Sequence, residues 1–207
     1  IRKVIIAMMR SVRLLARVAL SGVLFTVGLP AQEAQAPPPN PRVVIETTEG
    51  DITAELFRED ARVSVVNFLT YVQDGFYTGT IFHRVIRDFM IQGGGFTMDV
   101  APKTEGLRGG ILNEATNRID NRRGTIAMAR TGAPNSAQAQ FFINTENNRS
   151  LNHRDASQRG FGYAVFGRVV DGMDVVDTIE RTRTHRVNGM DNVPREPVII
   201  KQIRRLD

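Results

Sequence analysis

The sequence predicts a mainly β protein, an antiparallel barrel or sandwich that carries two helices. Three observations lead there. Short runs rich in β-branched and aromatic residues recur along the chain, punctuated by Gly, Pro, Asn and Asp clusters. Just two segments carry a helical period. No regular alternation of strand and helix appears, which argues against a parallel α/β sheet. At 207 residues and 42% hydrophobic content, the chain is sized for one domain with a real core, plus an appendage.

The appendage is N-terminal. Arg10, Arg13 and Arg17 precede an apolar run from Val18 to Leu29, and Ala34-Gln35-Ala36 follows. A basic region, a short apolar region and an A-x-A site together predict a cleaved secretory signal peptide over 1–36. The run is about a dozen residues, against the roughly 20 that a spanning helix needs, so no stable membrane anchor is expected after cleavage. Met8 or Met9 is the more ordinary start, and 1–8 read as an upstream over-extension. Residues 37–41, Pro-Pro-Pro-Asn-Pro, read as a stiff linker, and the folded domain is expected over 42–207.

The elements follow in order. Val43–Thr47 and the alternating Asp51–Leu56 predict two strands joined by a turn at Thr48-Glu49-Gly50. From Ala61 to Asp74 the period changes: Val65, Phe68, Leu69 and Val72 share one face, and Gly75 is a natural terminator. Strands are expected at 80–84, 89–92, 124–128, 140–144, 163–169 and 198–203. Before the last of these, Met173, Val176 and Ile179 fall at the spacing of a second, shorter helix.

Composition excludes several functions. The net charge is +5, but residues 1–36 hold five bases and one acid of the chain's 27 and 22. The remaining 22 bases and 21 acids nearly balance, and the short arginine runs lack interleaved aromatics, so no nucleic-acid partner is expected. There is no cysteine and no G-x-S-x-G, and Ser136 in Pro134-Asn135-Ser136 reads as a turn residue. The three histidines lie far apart, no carboxylates cluster at ligand spacing, and neither metal nor cofactor is expected. His83 reads as a satisfied structural histidine within a strand. Gly93-Gly94-Gly95 lacks the Lys-Ser/Thr of a phosphate loop and reads as a tight loop or bulge. Asn148-Arg149-Ser150 fits a glycosylation sequon, which the bacterial-type leader makes incidental. From pattern alone, Phe89, Met90 and Phe142 are as readily core residues, and Arg84 a strand-surface arginine.

Three blocks carry more. FHRVI at 82–86, FMIQGG at 89–94 and QFFI at 140–143 resemble the signature blocks of the cyclophilin family of peptidyl-prolyl cis–trans isomerases. Met128-Ala129 ahead of the third block and FGYAVFG at 161–167 after it match as well, and the resemblance runs over roughly 42–206. It looks closest to the periplasmic bacterial branch, which agrees with the leader. It implies a closed antiparallel eight-stranded β-barrel capped by two α-helices, and an isomerase acting on Xaa-Pro bonds of exported, folding polypeptides in the periplasm. The implied catalytic residues are Arg84, Gln92 and Gln140. Those implied to bind substrate are Phe89, Met90, Ala129, Arg130, Phe142, Leu151 and Tyr163. A non-catalytic module or chaperone that holds proline-containing segments in the same groove is the rival reading. Two positions depart from the best-known eukaryotic members: their pocket-rim tryptophan corresponds to Ser150, and their active-site histidine to Tyr163. Cyclosporin binding is therefore expected to be weak.

Overall fold

The computed structural model describes residues 39–206; the expected signal peptide and the first two residues of the linker lie outside them. Asn40 and Pro41, read as linker, are already fastened to the domain. The Asn40 side chain donates to Glu55 and accepts from the Arg58 N–H, and the Pro41 carbonyl accepts from the Leu56 N–H at 2.9 Å.

Eight strands close a barrel: β1 (Arg42–Thr47), β2 (Asp51–Leu56), β3 (Thr80–Ile86), β4 (Met90–Thr97), β5 (Thr125–Met128), β6 (Phe141–Asn144), β7 (Val165–Asp171) and β10 (Ile199–Arg205). Around the wall the order is β1, β10, β3, β4, β6, β5, β7, β2, and β2 returns to β1, with every pairing antiparallel. Among the described residues the two α-helices are α1 (Arg62–Gln73) and α2 (Met173–Glu180). Alternation along the strands sends one set of side chains inward. That set includes Ile45, Ile52, Phe82, Ile91, Ile126, Phe141, Ile143 and Phe166, which meet Phe68 from α1 and Val176 and Ile179 from α2 in one core. Phe68 is its hub, with its ring centroid 5.2–5.5 Å from those of Tyr77, Phe141 and Phe166, nearly perpendicular to the second. Each such buried ring contributes about 1.5–3 kcal/mol through area removed from water, and edge-on geometry adds to it.

Helix α1 starts without a local cap. Glu114, some fifty residues on, accepts the N–H groups of Val63 and Ser64 at 2.9 and 2.8 Å and the Ser64 hydroxyl at 2.7 Å. A carboxylate there satisfies orphan donors and complements the helix dipole. At the other end Gly75 takes φ +66°, as the period predicted.

One element has no counterpart among the expected strands: a separate hairpin of β8 (Thr184–Val187) and β9 (Met190–Pro194). Its turn is Asn188-Gly189, with φ of +50° and +80°, the combination that two-residue hairpin turns require. The glycine triplet lies within β4 and forms the bulge that was one of its two expected readings, where the register against β3 slips between Thr80 and Phe82. Gly94 alone has positive φ (+81°), and a Cβ there would sit 2.8 Å from the Tyr77 ring.

Candidate active site

The outward face of the same wall carries the predicted site residues. On β4 Met90 and Gln92 alternate with inward Ile91; on β6 Phe142 alternates with Phe141 and Ile143; on β5 Ala127 alternates with Ile126 and Met128. On β3 strict alternation fails. Phe82 and Val85 both reach the core although three residues apart, because the register against β4 slips between Phe82 and Arg84. Such a bulge re-aims side chains, and here it sets Arg84 directly opposite Gln92.

Arg84, Phe89, Met90, Gln92, Ala129, Arg130, Phe142, Leu151 and Tyr163 line one cavity of about 110 Å³. These are nine of the ten predicted residues. The tenth, Gln140, lines an adjoining hollow of about 190 Å³ whose wall shares Gln92, Ala129 and Arg130. Phe89 lies in the turn before β4 instead of in the strand where its pattern placed it. The apolar floor is Met90, Ala127, Phe142 and Val165, backed by Phe57, Ile86 and Ile119, and the Tyr163 ring meets Phe142 edge-on at 5.7 Å. The backing residues carried no local signal in the sequence, since their role arises only when the wall closes.

Three polar side chains run in series beside this floor. Arg84 Nη1 donates to Gln92 Oε1 at 3.4 Å, and Gln92 Nε2 donates to Gln140 Oε1 at 2.9 Å. Gly95 makes room for the last: a Cβ there would lie 2.5 Å from the Gln140 amide carbon. Arg84 is half-buried, and guanidinium stays charged and donates only.

Arg130 faces the cavity, as its segment was expected to, and its side chain has a second task. Its guanidinium is spent within the protein, donating to the carbonyls of Gly162 (2.9 Å), Thr131 (2.9 Å), Gly132 (3.1 Å) and Gln158 (3.0 Å) and lying 4.7 Å from the Tyr163 ring centre. It holds the 129–132 and 158–163 segments together. Gly162, at φ +78°, permits the approach; a Cβ would meet the Leu151 carbonyl at 2.8 Å. Ser136 is the turn residue expected, accepting from the Thr131 N–H and donating to the Ala133 carbonyl.

His83 is buried within β3 beside Phe96, a structural position as expected, although its Nδ1 has no hydrogen-bond partner. Burial, with the Arg84 charge adding to it, lowers its pKa to about 4 and keeps the ring neutral. It lines neither hollow. The sequon asparagine, Asn148, is also buried, and its amide donates to the Phe89 carbonyl and to Asn144.

The family model described as cyclophilin type peptidyl-prolyl cis-trans isomerase matches residues 42–205. The chain belongs to the cyclophilin family. It is 51% identical over 164 residues to peptidyl-prolyl cis-trans isomerase cyp18 of Streptomyces antibioticus, covering 79% of this chain and 98% of that protein. Against peptidyl-prolyl cis-trans isomerase B of Escherichia coli it is 51% identical over 161 residues, covering 78% and 97%. Among solved structures, a cyclophilin type isomerase of Cryptosporidium parvum superposes with a TM-score of 0.66 at 28% identity, covering 81% of this chain and 98% of that one. A second structure of that protein, at a TM-score of 0.63 and 29% identity over 78% of this chain and 96% of that one, was determined in the presence of the dipeptide Ala-Pro. The cyclophilin described here is thus a peptidyl-prolyl cis–trans isomerase.

Proposed function

We propose that this cyclophilin isomerises Xaa-Pro bonds of exported polypeptides in the periplasm and so assists their folding, with the proline ring seated in the cavity beside Arg84. The observation that carries the reading is the pairing of one fixed cationic donor with a small apolar floor.

The chemistry needs little more. Rotation about a peptide bond meets a barrier of about 18–20 kcal/mol, since nitrogen donates its lone pair into the carbonyl. Uncatalysed prolyl exchange takes about 10–100 s, and bringing it to milliseconds asks for roughly 10⁴-fold, or about 5–6 kcal/mol. In the twisted state the prolyl nitrogen regains a basic lone pair. A donor aimed at it is worth more at the transition state than in the planar ground state. Arg84 supplies that donor, and the series through Gln92 to Gln140 fixes its direction. Met90, Phe142, Leu151 and Phe89 grip the ring and strip water from the amide, which would otherwise favour the planar, more polar form. The N–H groups of Ala129 and Thr131 are engaged, with the Gln140 carbonyl and the Ser136 hydroxyl respectively. The Thr131 carbonyl is engaged too, by the Arg130 guanidinium, so a bound peptide backbone meets the Arg130 N–H and the carbonyls of Ala129 and Arg130.

The exported role is supported by the leader pattern in residues 1–36. Cell fractionation together with mass spectrometry of the mature N-terminus checks it; cytoplasmic protein with an intact leader sinks it. Catalysis is checked with a proline-tetrapeptide isomerisation assay on the full chain and on Arg84→Ala. The variant is expected to lose about 10²–10³-fold in kcat/KM, the loss seen when one transition-state donor is removed elsewhere. Equal rates would favour a non-catalytic proline-segment binder. Ser150 is exposed beside Leu151 where eukaryotic relatives carry tryptophan, so cyclosporin is expected to inhibit weakly; nanomolar inhibition overturns that.

A further inference from the structure

Behind the pocket lies a set of buried amides that the chemistry above does not use. Asn121 and Asn144 are 1% and 0% exposed, and Asn148 is 8% exposed. Their side chains join in a single direction. Asn148 Nδ2 donates to Asn144 Oδ1 at 2.7 Å, and Asn144 Nδ2 donates to Asn121 Oδ1 at 3.2 Å and to the Thr125 hydroxyl at 2.9 Å.

Both ends of this chain finish on the main chain of pocket walls. At one end Asn148 Nδ2 donates to the Phe89 carbonyl at 2.7 Å. At the other, Asn121 Nδ2 faces the carbonyls of Leu151 and Tyr163 at 3.3 and 3.4 Å, sharing its hydrogens with Asn152 Oδ1 at 3.2 Å. The Asn148 N–H also donates to the Asn121 carbonyl at 2.8 Å, which ties the two ends together through the backbone. Phe89, Leu151 and Tyr163 belong to three segments distant in sequence, yet all three face the cavity.

Buried amides are costly when unpaired, and apolar residues of similar volume are often as stable or better at such places. Each amide in this chain is oriented by the one before it, and the carbonyls at its ends also accept backbone N–H groups, Phe89 from Thr145 at 3.1 Å and Leu151 from Tyr163 at 2.9 Å, so the side-chain links add to a main-chain frame. We infer that Asn148, Asn144 and Asn121 are positioning residues for the isomerase, a polar strut that sets the separation of the Phe89, Leu151 and Tyr163 walls to the width of a proline ring. The strut touches no substrate. It acts through where it holds three carbonyls, and hence the side chains beside them.

This rests on the cavity being the proline site, and the test separates the two. Walls that grip the ring equally in planar and twisted states govern KM more than kcat. Full-length Asn144→Ala and Asn148→Ala are assayed with a proline tetrapeptide well below their melting temperatures. KM is expected to rise about five- to tenfold, the scale of one lost hydrogen bond, with kcat within about twofold. Ile45→Val, in the core on β1, serves as a control that lowers Tm and leaves KM unmoved. An asparagine variant whose Tm falls while KM stays at the wild-type value overturns the inference, as does a fall in kcat larger than the rise in KM. Should Asn144→Ala fail to fold, Asn148→Ala, at the accessible end of the strut, decides alone. Arg84→Ala is run alongside. If it retains full turnover, the cavity is misassigned; if it loses turnover while KM of the asparagine variants holds, the strut alone is refuted.

Discussion

Phe141 and Phe142 are neighbours on β6, both nearly inaccessible, and they serve opposite sides of one wall. Phe141 points into the barrel, where its ring meets those of Phe68, Tyr77 and Phe82. Phe142 points out, onto Tyr163 and the pocket floor. The inner face is closed by ring-on-ring packing, whereas the outer face is apolar in front and held by amides and a guanidinium behind. On β6 the core and the proposed proline pocket are separated by nothing more than the parity of the strand. A mutation on one parity should move stability, and on the other binding.

Replacing the two phenylalanines tests that separation most severely. Phe141→Ala is expected to cost about 3–5 kcal/mol of stability in urea titrations, as other large core truncations do. Its folded fraction should keep a near-normal KM. Phe142→Ala is expected to raise KM by about 10- to 200-fold, the scale of one to three kcal/mol for a lost apolar contact, with a smaller stability loss than its neighbour. If both variants shift KM alike, the two faces are coupled and the separation fails. His83 gives a smaller test, since it lies on β3 at the slip that breaks strict parity. Its folded pKa of about 4 lies below the unfolded value of 6.5. The unfolded chain therefore binds the extra proton between those values. Stability is full above about pH 6.5 and declines as pH falls towards 4, by at most roughly 3 kcal/mol at about 1.36 per unit. His83→Gln should show a shallower decline across that window. Parallel curves for the two proteins would rule out this contribution. Glu46, held low mainly by the Gln202 and Arg204 side chains, and Glu55, held low mainly by Arg168, titrate in both proteins and cancel in the comparison.

Much of the inner face was legible in the sequence because period is a local property. Val43–Thr47, Asp51–Leu56 and the stripe of Val65 and Phe68 read directly as two strands and a helix, and they occur where expected. The outer face was legible only through resemblance, since Met90 and Phe142 in isolation look like any core residue. The glycine triplet was legible as a loop or bulge, and the bulge forms; the crowding by Tyr77 and Gln140 that keeps those positions bare comes from elsewhere in the chain. Two features escaped. The β8–β9 hairpin had its signal, Asn188-Gly189, masked by the charged stretch around it. The asparagines at 121, 144 and 148 share no period at all, and only barrel closure lines up their amides.

Barrel closure has one more consequence. A sheet that ends in open strands offers a row of unpaired N–H and C=O groups onto which another extended chain can add. Here every wall strand has a hydrogen-bonded neighbour on each side, the shortest seam being that of β10 with β3 at Ile199 and Ile200, and among the described residues only the four- and five-residue strands of the β8–β9 hairpin stand outside that ring. They are short, and they carry Arg186 and Asp191. An isomerase of Xaa-Pro bonds built this way can thus hold a proline-containing segment in its pocket without recruiting it into its own sheet.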